Sequence, residues 1–164
     1  MTPPVDAAIA LGSNLGDREA ILESALVALD GLPDSSLTRV SRWHETDPEG
    51  PPGQGPYLNG AVILRTALPA RRLLAALLAI ERSQGRVREH GLRNGPRTLD
   101  LDLLTYGDLI CSEPGIEIPH PRFAEREFVL RPLAEIAPEL EHPRLRLSVD
   151  LLVRRLPRPE PASR

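Results

Sequence analysis

The sequence predicts an α+β fold: a mainly antiparallel sheet in the order βαββαβ, flanked by helices, with C-terminal additions beyond it. Three observations lead there. Four stretches of the 164 residues read as strands. Two amphipathic stretches with helical spacing fall after the first strand and after the third. The second and third strands are joined by a Pro/Gly-rich loop with no helix between them. That order is the split β-α-β arrangement of ferredoxin-like folds.

The elements follow in sequence. Ala7-Ala8-Ile9-Ala10-Leu11 is a short apolar run ending at Gly12, as in a buried first strand. Ser13 to Asp17 supplies a turn and a helix entry. Ile21, Leu22, Ala25, Leu26 and Leu29 then recur at helical spacing until Gly31 and Pro33 close the helix. Ser36 to Glu45 reads as the second strand, with Leu37, Val40 and Trp43 alternating imperfectly. Residues 46–56 contain four prolines and three glycines, which makes them a loop. Tyr57 to Thr66 is the third strand. A second helix begins near Pro69, carries Leu73, Leu74, Leu77, Leu78 and Ile80, and stops at Gly85. A second glycine-bearing loop reaches Gly95-Pro96, and Thr98 to Tyr106 alternates as the fourth strand. Further on, Ile116-Glu117-Ile118 is extended and Arg126 to Ile136 is helical despite Pro132. One domain over residues 1–153 accommodates this pattern, and 154–164, rich in Pro and Arg, is expected to be a flexible tail.

Composition narrows the function. An apolar fraction of 41% and a charged fraction of 26% are those of an ordinary globular protein. No apolar run approaches the ~20 residues that span a bilayer, and the first residues lack a signal-peptide pattern, so the expected location is cytoplasmic. The single cysteine, Cys111, excludes an internal disulfide and a cysteine metal cluster. A net charge of −3 argues against nucleic-acid binding through a broad basic field. All 20 basic residues are arginine. A Walker A phosphate loop requires a lysine, so any nucleotide site must rely on arginines and a metal.

The densest chemistry lies in Gly95-Pro96-Arg97-Thr98-Leu99-Asp100-Leu101-Asp102-Leu103. On a strand, Asp100 and Asp102 share one face while Leu99, Leu101 and Leu103 share the other. Their Cβ atoms stand roughly 6–7 Å apart, a spacing that can embrace one magnesium ion or two ions clamping a phosphate chain. An Asp-x-Asp alone is usually an acidic face shown to water. Here Arg82, Arg86, Arg88, Arg93 and Arg97 crowd the approach to it, and guanidinium groups bind phosphate bidentately. Glu81 continues the apolar face of the second helix and so needs a partner, either a nucleotide group or an arginine such as Arg86. Tyr57 and Asn59 share a strand face beside the Pro/Gly loop. With Thr46 and Phe128 they form a set able to sandwich a flat heterocycle and read its edge, although a core Tyr and Phe beside a structural Asn is the plainer alternative. His120, between two prolines, is either a phosphate contact or an ordinary turn histidine.

Together these segments resemble the 6-hydroxymethyl-7,8-dihydropterin pyrophosphokinase family of folate biosynthesis. The resemblance rests on Ala10 to Gly16, Tyr57-Leu58-Asn59, Gln84 to Arg88, Gly95 to Asp102, Pro119-His120 with Phe128, and Pro132 to Pro138, in that order. It implies an ATP- and magnesium-dependent enzyme that transfers pyrophosphate to the hydroxymethyl group of a dihydropterin, releasing AMP. It further implies that Asp100 and Asp102 hold two magnesium ions, and that Asp102 accepts the hydroxymethyl proton. Arg86, Arg88 and Arg97 would hold the phosphates; Glu81, Leu103, His120 and Arg126 would complete the ATP pocket. Tyr57 and Phe128 would sandwich the pterin, with Thr46, Asp47, Glu49 and Asn59 at its edge. The expected partners are these small-molecule substrates, with no nucleic acid, membrane or obligate protein partner. The alternatives are a ferredoxin-like small-molecule or RNA-binding module without catalysis, and an ATP-dependent kinase of another heteroaromatic alcohol.

Overall fold

The structure, a computed structural model, describes residues 3–47, 55–84 and 98–157. Strand β1 (Val5–Ser13) leads to α1 (Arg18–Asp30), then β2 (Ser35–Val40), β3 (His44–Thr46) and β4 (Tyr57–Thr66). Helix α2 (Ala70–Ser83) precedes β5 (Asp100–Tyr106) and a small hairpin, β6 (Cys111–Glu113) with β7 (Ile116–Ile118). A 3-10 turn at Phe123–Glu125 precedes α3 (Glu127–Ile136), and α4 (Val149–Arg154) follows. The main sheet runs β2-β4-β1-β5, with β3 also pairing with β4, and every pairing is antiparallel. Joining β1 to β2 across β4, and β4 to β5 across β1, puts α1 and α2 on one face. The predicted βαββαβ core is therefore present.

Local chemistry explains the helices. Asp17 caps α1 by accepting from Ala20 N at 3.1 Å, and Leu22, Ala25 and Leu29 turn inward. Leu73, Leu77 and Ile80 form the buried stripe of α2. These stripes pack on Ile9, Leu11, Val62, Leu64, Leu101 and Leu103 in the larger core. A second core forms on the opposite face. There Phe123, Val129, Leu130, Leu133, Val149 and Leu152 cover Ala8, Ala10, Ala61, Ile63 and Leu104. The sheet is thus the middle of three layers.

Several boundaries differ from the sequence expectation. The stretch Ser36 to Glu45 is not one strand but two, because Ser41 interrupts the ladder with its side chain. Ser41 N donates to Ala61 O at 2.9 Å, while Ser41 Oγ, not a carbonyl, accepts from Ala61 N at 2.9 Å. Trp43 then lies over Gly60, where a Cβ would stand 2.4 Å from the indole. Thr46, expected in the loop, closes β3. The alternation of β5 lapses after Leu104, since its pairing with β1 shifts register between Ala8 and Ile9, opposite Thr105 and Leu103, and leaves Leu104 as the extra residue. Leu104 still joins the α3 core with the face of Asp100 and Asp102, but Tyr106 crosses to the α1–α2 core. Strand β6 and helix α4 have no counterpart in the expectation. Helix α4 is capped by Ser148, which accepts from Leu151 N, and it runs through Arg154, where the tail was expected to begin.

Candidate active site

The site grows out of strand register. Opposite Gly12 on β1 stand Asp100 on β5 and Asn59 on β4, and opposite Ala10 stand Asp102 and Ala61. All six positions share the α3 face of the sheet. Small residues at Ala10 and Gly12 leave a floor between the acids and the amide. A Cβ at Gly12 would fall 2.9 Å from Asn59 Oδ1, so a side chain there would push the amide aside. The sequence marks the turn from Gly12 to Gly16 as a possible border of the site but gives Ala10 and Gly12 no role as its floor. The signal was present in Ala8, Ala10 and Gly12 alternating with Ile9 and Leu11, but small residues at period two also suit plain close packing.

A cleft opens over this floor. Its lining among the described residues comprises Ala10, Leu11, Gly12, Thr46, Asp47, Tyr57, Asn59, Asp100, Asp102, Arg126, Phe128 and Val129, and it is open to solvent at its mouth. An aromatic ring and an amide at its walls suit a flat heterocyclic ligand. The first turn of α3 supplies one wall through Phe128 and Val129, and β3 with the start of β4 supplies another. Asn59 Nδ2 donates to Thr46 Oγ1, which orients the amide. The guanidinium of Arg126 stands 5.6 Å over the Phe128 ring. Among the described residues its buried Nε has no hydrogen-bond partner. Arg126, assigned by the resemblance to the nucleotide, lies in this cleft beside the two acids.

A second cleft lies on the other side of β5. It is lined by Leu74, Leu78, Glu81, Asp100 to Leu103, Gly115 to Ile118, His120 and Pro121. Glu81, 2% exposed, accepts from Leu101 N at 2.8 Å and so satisfies an amide on the outer edge of β5. Neither sequence reading of Glu81 foresaw that backbone partner. His120 Nδ1 accepts from Arg122 N at 3.3 Å. Burial first, then the Arg126 guanidinium, pushes His120 below its ordinary range, against the pull of Asp100 and Glu117. Asp100 and Asp102 line both clefts, so the two cavities share one acidic wall.

Thr46, Asp47, Tyr57, Asn59, Asp100, Asp102, Arg126 and Phe128 thus meet in the first cleft; Glu81, Leu103 and His120 meet the acids in the second. Arg86, Arg88, Arg97 and Glu49 lie outside the described residues. Among the described residues, no group of three or more His, Cys, Asp or Glu could hold a metal ion by itself. Two adjacent carboxylates at an open cleft nevertheless match the way magnesium is held, by one or two carboxylates with phosphate oxygens completing the shell.

Residues 8–138 match the model of the 7,8-dihydro-6-hydroxymethylpterin-pyrophosphokinase family. The chain belongs to this family. A 2-amino-4-hydroxy-6-hydroxymethyldihydropteridine pyrophosphokinase from Pseudomonas aeruginosa is 46% identical over 135 residues, covering 82% of each chain. The Haemophilus influenzae protein of the same name is 40% identical over 148 residues, covering 90% of this chain and 91% of its own. Among solved structures, wild-type HPPK-DHPS of Plasmodium falciparum with SDX-DHP superposes with a TM-score of 0.73 at 16% identity. That likeness covers 94% of this chain but only 44% of the Plasmodium chain, and it bears on the fold alone. The matched region ends at Pro138, close to the end of α3, and β1 to α3 contain every described residue that lines either cleft.

Proposed function

We infer that this chain transfers the pyrophosphoryl group of ATP to the hydroxymethyl group of 6-hydroxymethyl-7,8-dihydropterin, giving AMP and the pterin diphosphate. Family membership supports the reaction. The observation that carries its assignment to these residues is the acidic wall common to the two clefts. It suits a reaction in which two substrates must meet end to end.

In this reading the pterin ring enters the first cleft, where Phe128 and Tyr57 offer faces and Asn59, oriented by Thr46, reads the edge. ATP occupies the second cleft, against Glu81, Leu103 and His120, with its phosphates directed at Asp100 and Asp102. These two carboxylates would hold two magnesium ions, which when bound neutralise the polyphosphate and polarise the transferring group. The hydroxymethyl oxygen forms a bond to the β-phosphorus as the bond from that phosphorus to the oxygen bridging to the α-phosphate breaks. AMP leaves on the α side, and Asp102 accepts the hydroxyl proton. Arg86, Arg88 and Arg97, with Arg126, would counter charge on the phosphates.

Incubation with ATP, magnesium and hydroxymethyl-dihydropterin should release AMP. ADP would indicate single phosphoryl transfer and overturn the reaction type. Undiminished AMP release by Asp100→Ala would overturn the metal assignment.

A further inference from the structure

Among the described residues the three-residue β3 pairs only with Tyr57–Asn59, at the sheet margin, and its side chains make further contacts on both faces. Its side chains alternate, so His44 and Thr46 face α3 while Trp43 and Glu45 face α1. On the α3 side both oxygens of one carboxylate are engaged. Glu135 Oε1 accepts from Arg42 N at 2.8 Å and Arg42 Nε at 3.0 Å, and Glu135 Oε2 lies 2.7 Å from His44 Nε2. Burial works against ionisation of Glu135, but the hydrogen bonds from the Arg42 backbone, His44 and the Arg42 side chain outweigh it and hold the carboxyl near 2. An ionised carboxylate can only accept, so His44 Nε2 carries the proton.

Glu135 also lies seven residues, or two turns, beyond Phe128 on the same face of α3. It therefore ties the helix that carries one wall of the first cleft to the strand that carries Thr46 in the other. Thr46 in turn orients Asn59. We propose that Glu135 is a positioning residue that sets the separation of Phe128 from Thr46 and Asn59, and so the fit of the cleft to the pterin. This proposal rests on the reading of that cleft as the pterin site.

The test is steady-state kinetics with both substrates varied, alongside direct calorimetric titration with hydroxymethyl-dihydropterin. Glu135→Ala should raise KM for the pterin roughly tenfold, by the usual effect of a lost charge-assisted contact, with KM for ATP and kcat within about twofold. Glu135→Gln keeps an acceptor for Arg42 N and should recover most of the affinity. His44→Phe removes one contact, and if Glu135→Ala does not fold it bears the same prediction at a few-fold. Asn59→Ala separates the two levels. If it leaves pterin binding unchanged, the cleft assignment falls. If it weakens binding while Glu135→Ala and His44→Phe do not, the positioning role alone is overturned. An equal rise in both KM values, or a loss of thermal stability with no change in either KM, would also overturn it.

Discussion

The two faces of the sheet are made by the same strands but are covered to different extents. Toward α1 and α2, Ile9, Leu11, Leu58, Leu101 and Leu103 remain apolar along the strands and are buried. Toward α3 and α4, the same strands bury Ala8, Ala10, Ala61, Ile63 and Leu104, then turn to Gly12, Asn59, Asp100 and Asp102. The change occurs where α3 begins. Its first turn stands beside the polar rows as a wall, with Phe128 and Val129 facing the cleft, and does not close over them. One face is therefore packed, apart from the second cleft at its β5 edge, and the other leaves a cavity with charged groups at one end. Neighbours on β5 belong to opposite regimes.

Asp102 and Leu64 provide the sharpest way to break this division. Asp102→Ala should lower AMP formation about 1,000-fold or more, the scale for losing a metal-holding, charge-stabilising group, while the melting midpoint moves only a few degrees. Leu64→Ala, at a buried position on the α1–α2 face that lines neither cleft, should cost about 2–4 kcal/mol of stability, measured by urea unfolding, yet leave kcat within about threefold where the protein is folded. Equal loss of turnover in both would erase the distinction. Next in size, Phe128→Ala should weaken pterin binding roughly 10–100-fold, measured by calorimetry, because an aromatic wall is lost from the cleft.

Two glycines sharpen the comparison further. Gly60→Ala, on the α1 side, drives a methyl into Trp43 and should cost about 1–3 kcal/mol with pterin KM unchanged. Gly12→Ala, on the α3 side, meets Asn59 Oδ1 and should raise pterin KM several-fold, about 1 kcal/mol of binding, with little loss of melting temperature.

The smallest effects are those of pH, and they too come from the α3 side. Glu135 has its folded pKa near 2, below the ordinary 4.5. Its stabilisation is therefore complete above 4.5 and is lost as pH falls toward 2. Urea midpoints across that window should slope for the native protein and slope less for Glu135→Gln, with Glu139, also lowered by its hydrogen bonds, left to titrate there. His142 is pushed down by burial, is stacked on Phe123, and uses Nδ1 to accept from Arg144 N and Leu145 N. Neutral in the fold, it should begin to lose stability as pH drops below 6.5, where the unfolded chain takes up its proton. A stability curve flat through that pH would contradict the assignment.

Much of the architecture was legible because strand and helix periodicity are set by the local backbone. Alternation alone separates Asp100 and Asp102 from Leu101 and Leu103, pairs Tyr57 with Asn59, and marks the stripes of α1 and α2. What covers a face depends on residues distant in sequence, and periodicity carries no information about them. The break at Ser41 arises from a hydroxyl replacing a carbonyl opposite Ala61. The floor at Gly12 is defined by Asn59 across the ladder, and Arg42 finds Glu135 93 residues away. The residue types and their faces were thus determined by the sequence itself. Enclosure was decided by tertiary structure, because α3 must pack on the sheet before Phe128, Asn59 and the two acids border one cavity.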